Sequence, residues 1–206
     1  MIKNVFFIKK MKLAIDLNDV IRDYSRNFVK YFKKGVNHSF NESEVEFYTN
    51  DMQMLLPFQS DEQYRRFVYE DYPFELYAKC PPVEKNLPRD FNDWVEFDLL
   101  DEDIEVMIVS PMESDLTIQS TYSFLAKTGS RVREVYFPID SATVWDKCDA
   151  LITANPRFFA NKKDDKKIIK INKDYNTELE GDFNYNSLMD IINDKEFIEK
   201  ISSNDE

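Results

Sequence analysis

Asp16 closes the short apolar run Leu13-Ala14-Ile15, with Asn18, Asp19 and Val20 directly behind it. A carboxylate at the end of a strand can act as nucleophile, base or cation ligand, whereas the amide of Asn18 cannot accept and return a proton at neutral pH. A competing reading makes Asp16 a cap for a helix starting near Val20, because Asp is favoured at helix starts. Two hydroxyls end comparable runs. Ser110, followed by Pro111, closes the run Ile104–Val109, and Thr153 closes the run from Ala150. If these runs are parallel strands, Asp16, Ser110 and Thr153 share the carboxyl edge of one sheet, where open α/β sheets bind their ligands.

The elements that would position them follow from periodicity. Lys12–Ile15 reads as a strand, and Val20–Lys33 as a helix through Ile21, Tyr24, Phe28, Tyr31 and Phe32. Residues 35–87 are irregular and aromatic, with short helical candidates at 42–48 and 61–69, and form a natural insertion. Residues 88–100 read as an amphipathic helix, 104–109 as a buried strand, 114–127 as a helix stopped by Gly129, and 132–137 as a strand. Two further short strands at 150–153 and 168–171 and a closing helix over 185–201 complete the order. Strands alternating with helices imply right-handed crossovers and a parallel sheet covered on both faces. The division is residues 1–34 and 88–206 as core, with 35–87 as a cap.

Composition limits the rest. A chain of 206 residues with 43% hydrophobic content buries a sizeable core, and no apolar run reaches the roughly 20 residues of a membrane span. The run Val5–Ile8 reads as a strand, or as part of a leader ahead of a start at Met11; it is shorter than a signal-peptide core. The net charge of −12 disfavours nucleic acid as a partner. The basic run Lys162, Lys163, Lys166, Lys167 and Lys170 contains Asp164 and Asp165 and reads as a solvated loop. Cys80 and Cys148 have no zinc or redox spacing and read as reduced thiols in a cytoplasmic setting. His38 is the only histidine, and three glycines leave no Gly-rich phosphate loop. The tail from Ser202 reads as a frayed polar end.

Three segments, AIDLNDVIRDY, VMIVSPME and CDALITANP, resemble motifs of the haloacid dehalogenase superfamily, and within it of the 5'(3')-deoxyribonucleotidase group. KIIKINKDYN is similar to a further strand of that group. The resemblance runs from about Lys12 to Ile192 and implies a Rossmann-like three-layer α/β sandwich with a parallel sheet and a small, mostly helical cap. It casts Asp16 as the nucleophile of an aspartyl-phosphate mechanism, Ser110 with Pro111 as the phosphoryl-binding segment, and Mg²⁺ as the cofactor of an active member. It also puts a general acid and base where Asn18 stands, a Lys near Thr143, and two metal carboxylates at Thr153 and Ala154. Asn18 retains only a backbone carbonyl for a metal. Asp19, Asp146 or Asp149 would have to supply missing carboxylates, and Lys147 the missing cation. The implied reading is a catalytically degenerate domain with a binding or structural role. Its alternative is a Mg²⁺-dependent nucleotidase acting on a phosphorylated small molecule. The aromatic stretch Phe58–Tyr77 suits either base stacking under a cap or a protein-binding surface.

Overall fold

Five of the six strands are runs of β-branched and other apolar residues short enough to cross a sheet once, and each is followed by a helix or a helical turn. In the computed structural model, which describes residues 10–111 and 114–203, they assemble into one parallel sheet. The strands are β1 (Lys12–Asp16), β2 (Glu105–Val109), β3 (Glu134–Tyr136), β4 (Ala150–Thr153), β5 (Lys167–Ile171) and β6 (Phe183–Tyr185), in the order β3-β2-β1-β4-β5-β6. The chain winds outward from β1 through β2 to β3, then returns to lay β4 against the other side of β1. The strand order therefore reverses beside β1, which makes the carboxyl ends of β1 and β4 the walls of a crevice.

Period-2 alternation divides the core. Leu13, Ile15, Ile108, Ile152, Ile169 and Ile171 face one side, where they pack with Phe91, Trp94, Leu188, Ile191 and Phe197. Ala14, Met107, Val109, Leu151 and Ile168 face the other, against Val144, Trp145 and Phe158. The helices on the first face come from α4 (Leu87–Asp93), which runs on as a wider turn over Trp94–Leu99, and from α6 (Leu188–Asn193) and α7 (Phe197–Ser202). Following β2, α5 (Asp115–Lys127) is started by a Ser114–Thr117 capping box and stopped where Gly129 takes a φ of 67°.

A second apolar cluster lies outside the sheet. It joins Tyr24, Phe28, Val29 and Phe32 of α1 (Tyr24–Gly35) to Met52, Leu56, Phe67, Val68, Leu76 and Tyr77. The inserted segment is helical: α2 (Met52–Leu55), α3 (Asp61–Arg66), and wider turns over Phe67–Asp71 and Phe74–Ala78. Phe58, Tyr64, Phe67 and Tyr72 stack on one another and on α1, so most of the aromatic stretch is the core of this unit.

Several elements differ from the sequence expectation. The first helix starts at Tyr24, because Leu17–Asp23 forms a tight loop in which the Leu17 carbonyl accepts from the amides of Ile21 and Arg22. Over 42–48 only the single turn Glu42–Glu44 forms. Tyr185 ends a sixth strand instead of starting a helix, and the closing helix is two helices parted at Asp194. The basic run is not one solvated loop. Lys162, Lys163 and Lys166 pair with Asp182, Asp146 and Asp149, while Lys170 is buried on β5 and donates to the Asn176 and Leu179 carbonyls. The Val5–Ile8 reading, Met112 and Glu113 of the VSPME motif, and the last three residues of the tail lie outside the described residues. Among the described residues no helix is long and apolar enough to cross a membrane.

Candidate functional site

Asp16 is the last residue of β1, Thr153 the last of β4, and Ser110 the first beyond β2, so three adjacent strand ends bring them to one edge. Thr153 Oγ1 donates to Asp16 Oδ2 at 2.7 Å and accepts from the Asn155 amide at 2.9 Å. Asp16 is 0% exposed, and its Oδ1 is buried with no hydrogen-bond partner. Burial raises its pKa to about 7, and the charge of Asp19 adds to this; Thr153 and the backbone amides of Asn18 and Leu17 pull the other way. A carboxyl with that pKa is partly protonated at neutral pH and correspondingly weak as a nucleophile.

The loop behind β1 carries Asp19, named above as a possible replacement carboxylate, and brings in Tyr175 and Arg22, which the sequence reading did not single out. Asp19 sits at a φ of 60°, in the left-handed region that favours Gly and that Asp tolerates better than most residues. Its carboxylate accepts from the Ser25 amide (2.8 Å), the Ser25 hydroxyl and the Tyr175 hydroxyl (3.0 Å). Tyr175 belongs to the KDYN segment. Burial beside Asp19 pushes its phenol pKa upward, so it remains a donor. The next residue, Asn176, ties that segment to the Ala154 and Ile171 carbonyls at 2.9 Å each.

Arg22, also 0% exposed, extends from this loop into the same edge. Its Nε donates to Asn18 Oδ1 at 2.5 Å, and its two terminal nitrogens to Thr121 Oγ1 at 3.1 Å and Ser110 Oγ at 3.4 Å. Its guanidinium carbon lies 4.9 Å from the Tyr77 ring centroid. Burial lowers its pKa, but an Arg starts so high that it stays charged. The sequence signal for Arg22 is faint: a single basic residue directly after the apolar pair Val20-Ile21, six positions beyond Asp16.

The other charged candidates are elsewhere. Lys147 is exposed, and Asp149 sits just before β4 begins, where its carboxylate accepts from the Lys12 amide and from Lys166. β4 separates this end from Thr153 by roughly 13 Å of strand, so neither residue approaches Asp16 to replace what the motifs lack. Asp146 pairs with Lys163 and is exposed. The donor set near Asp16 does not suit a divalent cation. Both oxygens of Asp19 already accept hydrogen bonds, Thr153 offers a hydroxyl that donates to Asp16, and Asn18 Oδ1 accepts from a guanidinium. No cluster of three or more His, Cys, Asp or Glu able to hold a metal occurs among the described residues. The two cysteines are buried and unpaired, with burial pushing both thiols up to about 12, and His38 is exposed in the turn after α1.

Above the edge lies a cavity of about 80 Å³ lined by Asn18, Asp19, Pro111, Asn155, Tyr175 and Tyr64 of the inserted segment, among others. Asn50 of the inserted segment donates to Asn155 at 3.0 Å, and Asp51 faces Arg157 at 3.9 Å. A larger cleft of about 240 Å³ lies on the other side of the Asp19–Tyr175 contact and is lined by charged groups of both signs, including Asp23, Arg26 and Lys173.

This fold, a parallel sheet whose order reverses beside β1 with helices on both faces, has counterparts among solved structures. One is a haloacid dehalogenase-like hydrolase from Burkholderia xenovorans, 10% identical, with a TM-score of 0.57 over 92% of this chain and 98% of that one. The fold is that of the haloacid dehalogenase-like hydrolases. A dehalogenase with an intermediate complex is similar at 11% identity and a TM-score of 0.53, covering 89% of this chain and 96% of the other. A further dehalogenase structure gives 10% identity and 0.52, with 89% and 96% covered. No protein-family profile and no curated protein sequence matches the chain. In this haloacid dehalogenase-like fold the inserted helical segment follows α1, and the loop joining β1 to α1 carries Asn18, Asp19 and Arg22.

Proposed function

We propose that this haloacid dehalogenase-like chain is catalytically degenerate and that residues 35–87, with α1 at their base, form a cap over a site that binds instead of turning over its ligand. The observation that carries this reading is the state of Asp16. It is sealed from solvent, raised in pKa, and bonded to Thr153 where a metal-binding carboxylate would be required. The proton carrier is also missing, since Asn18 is an amide held by Arg22. One absent general acid or base lowers rates by about 10²–10⁴-fold, and such losses act together.

The second reading, a nucleotidase forming an aspartyl phosphate on Asp16, draws support from the adjacency of Asp16 and Ser110 at neighbouring strand ends and from the free Asp16 Oδ1. An activated aryl phosphate separates the two. Its leaving group needs little protonation, so it exposes a surviving nucleophile even without the acid. The expected result is hydrolysis indistinguishable from an Asp16→Asn control, with or without Mg²⁺. Robust turnover abolished in Asp16→Asn would establish the nucleotidase instead. A protein partner of the cap would meet Tyr48, Met54 and Phe74, which are 65%, 69% and 47% exposed while their aromatic neighbours are internal.

A further inference from the structure

The cleft of about 240 Å³ beyond the Asp19–Tyr175 contact is smaller than the roughly 300–1,000 Å³ of drug-sized ligand sites, so it suits a small molecule. Its floor is apolar, formed by the buried side chains of Val20, Ile171 and Leu188. Two walls rise from that floor. One follows β1 and carries Asp23; the chain returning from the inserted segment is tied to it by Asp23 N–H to the Pro81 carbonyl and Val83 N–H to the Ile21 carbonyl, which brings Glu84 to the rim. The other is made by the loops after β5 and β6 and carries Lys173, Asn186 and Ser187. Each wall holds a charge without a close partner. Asp23 is half-buried, does not cap α1 with its side chain, and among the described residues has only the exposed Arg26 as an ion-pair partner, at 4.0 Å. Burial holds its carboxyl above its ordinary pKa, by more than Arg26 and Lys173 offset. Lys173, also half-buried, makes no ion pair among the described residues. Beside it, Asn186 Oδ1 accepts from Asn172 and Ser187 Oγ accepts from the Asp190 amide, which leaves the Asn186 N–H₂ and the Ser187 hydroxyl proton as donors.

We propose that this cleft binds a small zwitterion whose ammonium and carboxylate stand at opposite ends of a short aliphatic body. Asp23, with Glu84 at the rim, takes the ammonium; Lys173, Asn186 and Ser187 take the carboxylate; the methylenes lie on Val20, Ile171 and Leu188. The charges must be spaced because the strands that lead into the two walls, β1 and β5, are parted by β4, two strand spacings or about 10 Å. A molecule with both charges on one carbon reaches only one wall. The remaining rim charges, Arg26 and Asp174, are exposed and of opposite sign, so they leave the balance between the walls unchanged. Asp16 is not among the residues lining the cleft, and the inference holds whether or not Asp16 turns over a ligand.

The test titrates 6-aminohexanoate into the full chain, followed by calorimetry and by saturation-transfer NMR. Saturable binding is expected, weakened about tenfold or more in Lys173→Met and in Asp23→Asn, each of which removes one charge and keeps the size of the side chain. Hexylamine and hexanoate, which lack one charge each, should also bind about tenfold more weakly. Norleucine is an isomer of the probe with both charges on one carbon, and it should bind several-fold more weakly. The absence of saturable binding of 6-aminohexanoate, or undiminished affinity in either variant, overturns the proposal. So does equal affinity for hexylamine, hexanoate or norleucine. Should Asp23→Asn fail to fold, Lys173→Met decides, since its charge lies at the rim of the fold and not in the core. Asp16→Asn should bind the probe as the wild type does; a loss there as large as in Lys173→Met would move the ligand to the strand ends and overturn the cleft as its site.

Discussion

Replacing Asp16 by Asn should change stability in a pH-dependent way that reports directly on the buried carboxyl. The folded state holds the Asp16 proton up to about pH 7, against an ordinary value of 3.8. Because the folded pKa lies above the unfolded one, the folded protein binds the proton more tightly, and stability falls as pH rises from the unfolded value through the folded one. The gap of about three pKa units corresponds to roughly 4 kcal/mol of destabilisation above pH 7, of which roughly 1 kcal/mol is already present near pH 4.5. The amide introduced by Asp16→Asn is neutral throughout. It still accepts from Thr153, but its N–H₂ replaces the unpartnered Oδ1 and costs about 1–3 kcal/mol as a buried donor without a partner. The net expectation is a variant about 1–3 kcal/mol more stable than the wild type near pH 8 and less stable near pH 4.5. Urea denaturation of both proteins at the two pH values measures this, and the difference between them cancels the titration of distant carboxylates. A stability difference that is the same at both pH values would refute the reasoning, since it would mean that Asp16 titrates normally in the folded chain.

Asn18→Asp should give a buried ion pair with Arg22 Nε instead of a working acid, raising stability by about 1–2 kcal/mol without phosphatase activity; denaturation midpoints and an aryl phosphate assay check both halves. Trp145→Phe removes the indole donor to the Phe158 carbonyl at 3.1 Å in a fully enclosed position, and should cost about 1–3 kcal/mol in urea denaturation. Millimolar Mg²⁺ should leave the melting temperature and the calorimetric baseline unchanged, because Asp16 has no second free carboxylate beside it; tight binding that disappears in Asp16→Ala would contradict this.

Much of the fold was legible because its signals are local. The runs ending on Asp16, Val109 and Thr153 are short, apolar and rich in β-branched residues, and their alternation with helical spacing implies a parallel sheet whatever the rest of the chain does. The segment over 185–201 misled for the same reason: Tyr185, Leu188, Ile191 and Ile192 satisfy helical spacing. The edge strand Phe183–Tyr185 is recognisable only through its pairing with β5. The aromatic stretch suited either base stacking or a protein-binding surface because composition cannot separate such platforms from a core; its packing on α1 assigns most of it to the interior.

The sequence alone determined which chemical groups stand at the strand ends: a carboxylate at Asp16, an amide at Asn18, hydroxyls at Ser110 and Thr153. It also determined that these ends share an edge, because parallel strands put all their carboxyl termini on one side. Tertiary structure alone decided which charges reach them. Lys147 and Asp149 are close in sequence to Thr153, but β4 runs between, and a strand advances about 3.3 Å per residue, so they fall at the opposite edge. Arg22 is drawn in because the tight turn behind β1, with Asp19 in the left-handed region, folds the chain back against Thr121 of α5 and the Tyr77 ring. Burial completes the difference. The same Asp that would be an ordinary acid in water is raised to about 7 because burial at the sheet edge removes its solvent, against the opposing pull of the Thr153 hydrogen bond, and only three-dimensional packing does that.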